Sequence, residues 1–499
     1  MAVPVSGWTS DNDPIDSILD DGYRWENEAG RDTTRIDYAI VRYPEDAGAV
    51  ARWETRAFTA GMAAWEQVAD VDFRPARSAD HFDLAIGVAD STDLPRPWPP
   101  RDLLAFQEGP YLASQKDDEQ VAGGIYFQDR PSWTAAGTEP AGLGFLTILH
   151  ELGHFLGLAH PFDAGSSGLS RVEGRVGDIS TLSTVMAYAD WRNDPATGYA
   201  DLDRVWPLEA GTTLGYGHFL TPTARDVAAV QHLYGANLDQ DDGDGDGSAN
   251  DVYRLPASNS VGTGWTTIWD TGGIDAIRHS GARAVHISLE PSRFEPGSTI
   301  WGGLSQVRSV LGGLMIADDV TGALTRAQGG FRGVLIENAS GGSGDDRIEG
   351  NLAANALSGG GGADRILGQG GADRISGGAG EDVLSGGSGG DVLRGGSGDD
   401  SLWGGRGSDS LYGDGGNDVL SGSSGADRFV FAAGGGFDTI RDFGGSDVID
   451  LRAYGDLSFR EALSGSRNFA SGMRLYVGEE EIRLAGVDRA ELTPDDFLL

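Results

Sequence analysis

The C-terminal half of the chain repeats with a period of nine residues, which limits the possible folds more than any other feature. From Gly341 the pattern GGxGxDxUx, where U is a large apolar residue, recurs in ten copies in one phase. A flexible glycine/serine linker would not hold such a phase, so we set that alternative aside. The apolar positions are Ile348, Leu357, Ile366, Ile375, Leu384, Leu393, Leu402, Leu411, Leu420 and Phe429.

This repeat predicts a two-sheet roll that binds cations. Six glycine-rich residues can form a tight turn with inward carbonyls, and three residues can form a short strand with one apolar side chain inside. Successive strands then alternate between two parallel sheets, and turns eighteen residues apart stack. Stacked aspartates repel one another unless a hard cation such as calcium lies between them. The predicted calcium ligands are Asp346, Asp364, Asp373, Asp382, Asp391, Asp400, Asp409, Asp418 and Asp427.

Two copies depart from the pattern. The copy Gly350–Asn355 lacks the inner glycines and has Asn355 in place of the carboxylate, which predicts a weaker or absent calcium site. The copy Gly422–Asp427 is also imperfect, and we expect the chain to begin leaving the roll there.

A second motif, HExxHxxGxxH, lies at residues 150–160. On a helix, His150 and His154 lie on one face and can bind one zinc ion, and Glu151 lies close enough to accept a proton from a zinc-bound water. Gly157 can end the helix in a left-handed conformation and let His160 return to the metal. Histidines in so apolar a helix would need other polar partners if they bound no metal. The motif specifies five of its eleven residues, so a chance match is a poor explanation.

This motif resembles the signature of the metzincin zinc peptidases, and Ser183–Tyr188 resembles their methionine turn. Tyr188, two residues past Met186, is similar to the extra zinc ligand of the serralysin branch, which implies that it can leave the metal and stabilise the oxyanion. An ordinary core tyrosine is the alternative. Met186 is expected to pack as an apolar floor beneath the metal. His160-Pro161, the run Asp226–Asn237 and the segment 338–451 also resemble serralysins.

The resemblance implies a secreted zinc metalloendopeptidase, with zinc as catalytic cofactor and several calcium ions as structural cofactors. Water bound to zinc would attack the peptide carbonyl, and Glu151 would act as general base and then protonate the leaving amine. The expected fold class is multidomain, with an α/β metzincin-like peptidase domain followed by an all-β parallel roll.

The predicted domains follow the composition. Residues 1–238 form the catalytic domain, with the first ~20 residues as a candidate propeptide, and 239–250 form an acidic hinge. Residues 251–340 form irregular β-structure, 341–430 the RTX roll, and 431–499 a C-terminal β region with a type I secretion signal. In the hinge, Asp242, Asp244 and Asp246 have EF-hand spacing, but Tyr253 stands where that loop needs glutamate, so a solvated linker and a partial calcium site both remain open.

Charge and cysteine content exclude several classes of protein. The formal charge of −39 argues against a nucleic-acid partner, and the absence of cysteine excludes disulfides. Residues 1–20 lack an apolar signal-peptide core, and no stretch is apolar enough for a transmembrane helix. The resemblance to serralysins implies export by type I secretion machinery, with protein or peptide substrates and a proteinaceous inhibitor as further partners, and we expect a monomer.

Two alternative functions and one structural ambiguity remain for comparison. A non-enzymatic RTX adhesin would not need intact zinc ligands, and a pore-forming toxin would need membrane segments. The strand-like run Val121–Phe127 is either the edge strand that pairs with substrate or a buried structural strand.

Overall fold

The computed structural model describes two thirds of the chain, including nearly all of the predicted roll. The described residues are 3–5, 24–26, 33–43, 49–77, 82–89, 105–108, 122–127, 133–136, 138–140, 142–158, 185, 220–234, 236–237, 250–258, 265–270, 272–291, 304–308, 313–317 and 334–499. None of the helices in these ranges is both long and apolar enough to span a membrane.

The N-terminal part contains a short antiparallel pair and a five-stranded mixed sheet. The strands are β1 Val3–Val5, β2 Arg24–Glu26, β3 Thr34–Tyr43, β4 Val71–Pro75, β5 Leu84–Ala89, β6 Ala105–Glu108 and β7 Ala122–Phe127. The sheet order is β4-β3-β5-β7-β6, and only β6 is antiparallel to its neighbour. The edge strand on this side is therefore β6. The expectation that Val121–Phe127 forms the edge is wrong, because Ala122–Phe127 lies between β5 and β6 inside the sheet.

Three helices lie with this sheet: α1 Arg52–Glu66, α2 Leu143–Phe155 and α3 Ala224–Tyr234. Helices α1 and α2 approach closely at Gly61, where an added Cβ would lie 2.6 Å from Ile148 Cγ2. Trp65 Nε1 donates a hydrogen bond to Leu149 O across the same interface, at 3.3 Å. Helix α2 thus lies buried between the other elements, as its almost wholly apolar sequence predicts.

The C-terminal part forms two long sheets that the chain visits alternately. The strands that follow β7 are β8 Val252–Arg254, β9 Trp265–Ile268, β10 Ala276–Arg278, β11 Val285–Ser288, β12 Leu304–Val307, β13 Gly313–Ile316, β14 Asn338–Ser340, β15 Arg347–Glu349, β16 Ala356–Gly361, β17 Arg365–Gly370, β18 Arg374–Ala379, β19 Val383–Ser388, β20 Val392–Ser397, β21 Ser401–Arg406, β22 Ser410–Gly415, β23 Val419–Ser424, β24 Arg428–Val430, β25 Phe437–Ile440, β26 Val448–Asp450, β27 Arg467–Phe469, β28 Gly472–Val477, β29 Glu480–Ala485 and β30 Phe497–Leu498. A short helix, α4 Phe459–Ala462, precedes β27.

The alternation predicted from the nine-residue period is confirmed. The even-numbered strands from β14 to β26 stack in parallel in one sheet, and the odd-numbered strands from β15 to β25 stack in parallel in the other. None of the ten apolar repeat residues is more than 2 % exposed, so they form a continuous core between the sheets. Most strands are six residues long and not three, because part of each glycine turn also pairs, as Gly378 does with Gly396.

The two sheets continue on both sides of the regular array. Before it, β10 pairs in parallel with β14, and β11 pairs in parallel with β15. After it, β24 pairs with β26, and β26 pairs with β30 at the chain end. The sheets therefore do not end at the imperfect copy Gly422–Asp427, although the regular nine-residue spacing does.

Candidate functional site

Helix α2 places His150 and His154 on one face, one turn apart. Their ring centroids are 4.8 Å apart and the ring planes are nearly perpendicular, at 89°. His150 is 6 % exposed. The helix ends at Phe155, and Gly157 has a φ of 93°, the left-handed conformation predicted for the turn.

The hydrogen bonds of the two rings select the tautomer that a zinc site needs. His150 Nδ1 lies 2.8 Å from Val185 O, and His154 Nδ1 lies 2.7 Å from Leu158 O. Because a carbonyl can only accept, each Nδ1 carries a proton, and in the neutral ring this leaves the lone pair on Nε2. A backbone partner of this kind is typical of metal-binding histidines. The donor set therefore fits a zinc ion.

Glu151 is buried on the same helix as these histidines. It is 2 % exposed, and its Oε2 has no hydrogen-bond partner among the described residues. Burial raises the pKa of the Glu151 carboxyl to about 8. The hydroxyl of Tyr126 on β7 is also buried without a described partner, and its pKa is raised first by burial and then by the charge of Glu151.

Asp226 in the first turn of α3 supports this arrangement through the backbone of Val185. Its Oδ2 accepts hydrogen bonds from Val185 N, Thr223 N and Thr223 Oγ1, each at 2.8 Å. The carbonyl of the same Val185 accepts the proton of His150 Nδ1. The sequence analysis gave Asp226 no role. The T-x-x-D spacing from Thr223 predicts a helix start, but not the contact with Val185.

The aspartates of the roll form two hydrogen-bonded ladders, one at each row of turns. In the first ladder, the N–H of each member donates to the Oδ1 of the next at 2.8–2.9 Å; the members are Asp346, Asp364, Asp382, Asp400, Asp418 and Asp438. The second ladder has the same bonds at 2.8–3.0 Å; its members are Asn355, Asp373, Asp391, Asp409, Asp427 and Asp447.

The other oxygen of most ladder carboxylates is buried and has no hydrogen-bond partner among the described residues. These Oδ2 atoms belong to Asp364, Asp373, Asp382, Asp391, Asp400, Asp409 and Asp418, each at most 2 % exposed. Burial, with the charges of neighbouring aspartates, raises the pKa to about 7 at Asp364, Asp373 and Asp400 and to about 6 at Asp409. Rows of buried, uncompensated carboxylate oxygens are what a calcium ion would satisfy.

In the irregular second copy, side-chain amides replace the missing carboxylate. Asn355 Nδ2 donates to Glu337 O and to Asn351 Oδ1, both at 3.0 Å. Asn351 Nδ2 in turn donates to Leu289 O and Ile336 O. The weaker calcium site expected at this copy stays a prediction.

Models of two known protein families match this chain, one in its N-terminal half and the other in its C-terminal half. The matrixin peptidase model matches residues 24–169, and the RTX calcium-binding nonapeptide repeat model matches residues 340–375, 358–393, 394–429 and 430–453. The chain is 32% identical to a serralysin from Proteus mirabilis over 245 residues, which is 48% of this chain and 42% of that protein. It is 29% identical to the metalloprotease AprA from Pseudomonas entomophila over 359 residues, which is 68% of this chain and 64% of that protein.

The chain therefore carries a matrixin-type peptidase domain followed by RTX repeats, and it is similar to serralysins. It spans about 40 to 65% of the length of these curated relatives. Among solved structures, the lipase LipA from Serratia marcescens is 17% identical and covers 38% of this chain and 44% of that chain, with a TM-score of 0.18, too low to bear on the fold. The matrixin domain implies a catalytic zinc, and the RTX repeats bind calcium.

Several predicted site residues of the chain lie outside the described residues. They are His160, Met186, Tyr188 and the acidic run 239–247, together with most of the candidate propeptide. The structure therefore brings together His150, Glu151 and His154. The roles of His160, Met186 and Tyr188 remain as the resemblance implies them.

Proposed function

We propose that the chain is a secreted zinc endopeptidase, stabilised by calcium in its roll, that hydrolyses peptide bonds in proteins. The observation that carries this is the pair of Nδ1-protonated imidazoles of His150 and His154 beside the buried, unpartnered carboxylate oxygen of Glu151. The zinc would be held by His150, His154 and His160, with Tyr188 as a fourth protein ligand in the resting state.

A zinc ion held by these residues would lower the pKa of a water molecule to about 7 and would polarise the substrate carbonyl. Glu151 would take the proton as water attacks and would then pass it to the leaving amine. The buried position of Glu151 suits this task, because desolvation raises its proton affinity toward the working pH. Tyr188 would donate a hydrogen bond to the oxyanion.

Export would depend on the same ladders that bind calcium. At low cytoplasmic calcium the uncompensated aspartates would keep the roll open, and millimolar calcium outside the cell would close it by binding only the folded state. Phe497 and Leu498 pair with Ile449 and Asp450 in the roll sheet, so an open roll would leave this segment accessible to type I secretion machinery. A proteinaceous inhibitor that fills the active site is a further proposed partner.

The test is a zinc-removal assay with calcium held constant. Purified full-length chain would be stripped with a zinc-selective chelator in millimolar calcium and assayed on casein before and after zinc is restored. We expect activity to disappear with zinc and to return with one equivalent per chain. Full hydrolysis by the zinc-free protein would contradict the proposal.

A further inference from the structure

The hydroxyl of Tyr126 is a buried polar group of the N-terminal part that the proposed mechanism does not use. Tyr126 lies on β7 and is 1 % exposed, and its hydroxyl makes no hydrogen bond within the part of the chain that the structure describes. A tyrosine hydroxyl that is removed from water usually has a partner, because an unsatisfied donor keeps the full cost of its desolvation. The position of this hydroxyl therefore needs a reason.

Two aromatic rings hold the Tyr126 side chain in place. The ring of Phe58 on α1 meets the Tyr126 ring edge-on, with the centroids 4.7 Å apart and the planes at 72°, and the centroid of the Trp133 ring lies 5.5 Å away. Trp133 is itself fixed, because its Nε1 donates a hydrogen bond to Glu54 Oε1 at 3.0 Å. Glu54 in turn forms an ion pair with Arg42 on β3, at 2.7 Å. The hydroxyl is thus presented at a defined position.

Helix α1 relates the Tyr126 ring to the turn of α2 that carries Glu151. Phe58, which packs on Tyr126, lies three residues before Gly61 and therefore on the same face of α1. At Gly61 this face meets α2, where an added Cβ would lie 2.6 Å from Ile148 Cγ2. Ile148 lies three residues before Glu151, so these two residues are neighbours along α2. The Tyr126 ring is therefore one turn of α1 away from the part of α2 that holds Glu151.

The electrostatics agree with this packing. Burial raises the pKa of the Tyr126 hydroxyl, and the charge of Glu151 is the second cause. Glu151 Oε2 is also buried, and no described residue forms a hydrogen bond with it. A donor and a charged acceptor thus lie within electrostatic reach of each other and share no direct hydrogen bond in the structure. One bridging water would satisfy both groups.

We propose that the Tyr126 hydroxyl donates a hydrogen bond to the Glu151 carboxylate through one bridging water and thereby holds the general base in position. The inference rests on the proposed function, because it takes Glu151 as the base. A base contributes fully only when its carboxylate is held in the productive orientation, and a buried carboxylate without a donor is free to turn away. Tyr126 would act through Glu151 and is therefore a positioning residue.

The test compares Tyr126→Phe with the wild type in steady-state hydrolysis of a fluorogenic peptide by the zinc- and calcium-loaded full-length chain. The substitution removes the hydroxyl and keeps the ring. We expect kcat to fall at least about tenfold, the usual contribution of a hydrogen bond to a charged group, with KM and zinc content unchanged. The matched control is Tyr454→Phe, which removes a buried hydroxyl of the C-terminal part that also has no described partner and should keep the wild-type kcat.

A double variant shows whether Tyr126 acts through Glu151. In the Glu151→Gln background, measured at high enzyme concentration, Tyr126→Phe should lower the residual kcat less than about twofold, because the base that Tyr126 positions is already lost. The comparison also holds if the substitution lowers stability, since that effect is common to both backgrounds. An equal loss of kcat in both backgrounds, or a wild-type kcat in Tyr126→Phe, would overturn the proposal. A wild type that hydrolyses peptides without zinc would instead refute the proposed function.

Discussion

At the scale of single residues, His150 owes its orientation to groups on two other segments. Its Nδ1 proton is fixed by Val185 O, and Val185 is fixed by Asp226. A charged acceptor forms hydrogen bonds about twice as strong as a neutral one. The negative charge of Asp226 therefore holds Val185 more firmly than a neutral side chain of the same shape would. The ring is thereby held in the tautomer that presents Nε2.

Asp226→Asn should therefore weaken zinc binding by about tenfold, the lower end of the usual effect of outer-shell partners. Asparagine keeps the shape of the aspartate side chain. The three donors that contact Asp226 Oδ2 would, however, share a neutral amide oxygen in place of a charged carboxylate oxygen. Zinc affinity would be measured by competition with a chromogenic chelator in excess calcium. The control Asp72→Asn removes a charge from β4, far along the chain from the site. Equal zinc affinity in Asp226→Asn and the wild type would show that the carboxylate does not position His150.

The sequence predicted the helix, the histidine pair and the left-handed Gly157, because helical periodicity and glycine preference are local properties. It could not predict the role of Asp226, because that depends on a contact between residues forty-one apart. It also could not predict that Tyr126 places a buried hydroxyl within the electrostatic reach of Glu151.

At the scale of elements, the first glycine of a repeat copy leaves space for the aspartate carboxylate of the same copy, in addition to forming the turn. A Cβ on Gly359 would contact the Asp364 carboxylate and lie 2.6 Å from its Cγ. A Cβ on Gly361, two residues later, would have no neighbour closer than 3.8 Å, and that glycine has an ordinary φ. The two positions form a matched pair within one turn.

Gly359→Ala should raise the calcium concentration needed for folding severalfold, because the Asp364 carboxylate would have to leave the ladder. Gly361→Ala should leave that concentration unchanged. Calcium titrations followed by far-ultraviolet circular dichroism would compare the two variants. Equal midpoints would mean that the carboxylate does not need the space beside Gly359.

The ladders also predict how pH acts on the calcium-free chain. Asp364, Asp373 and Asp400 have a folded-state pKa of about 7, above the ordinary value of 3.8. The folded state therefore binds more protons than the unfolded state between about pH 4 and pH 7, and stability falls as pH rises through that range. Urea unfolding without calcium should show a more stable roll at pH 5 than at pH 8. Greater stability at pH 8 would contradict this assignment.

At the scale of the whole molecule, the formal charge of −39 opposes a compact state unless cations are bound. The roll concentrates part of that charge in two buried rows. Removing calcium from the full-length chain should expand it, and small-angle scattering should record a smaller radius of gyration when calcium is returned. The circular dichroism spectrum of the chain should change when calcium is returned, because residues 341–430 fold. An identical scattering profile with and without a calcium chelator would contradict this account.

The sequence predicted the two parallel sheets because the nine-residue phase specifies them. It missed their continuation into β8, β10, β11, β26 and β30, because those strands lack the repeat pattern and are joined only by non-local pairing. It also misplaced the edge of the catalytic sheet. The run Ala105–Glu108 carries no clear alternation, yet it pairs antiparallel with β7 and takes the edge position.

The most direct test of the account compares zinc content and peptide hydrolysis in one sample of Glu151→Gln. The account predicts one zinc per calcium-loaded chain, as in the wild type, with casein hydrolysis reduced at least about 10²-fold, the usual contribution of a general base. A Glu151→Gln protein that holds zinc and cleaves casein at the wild-type rate would contradict the central claim.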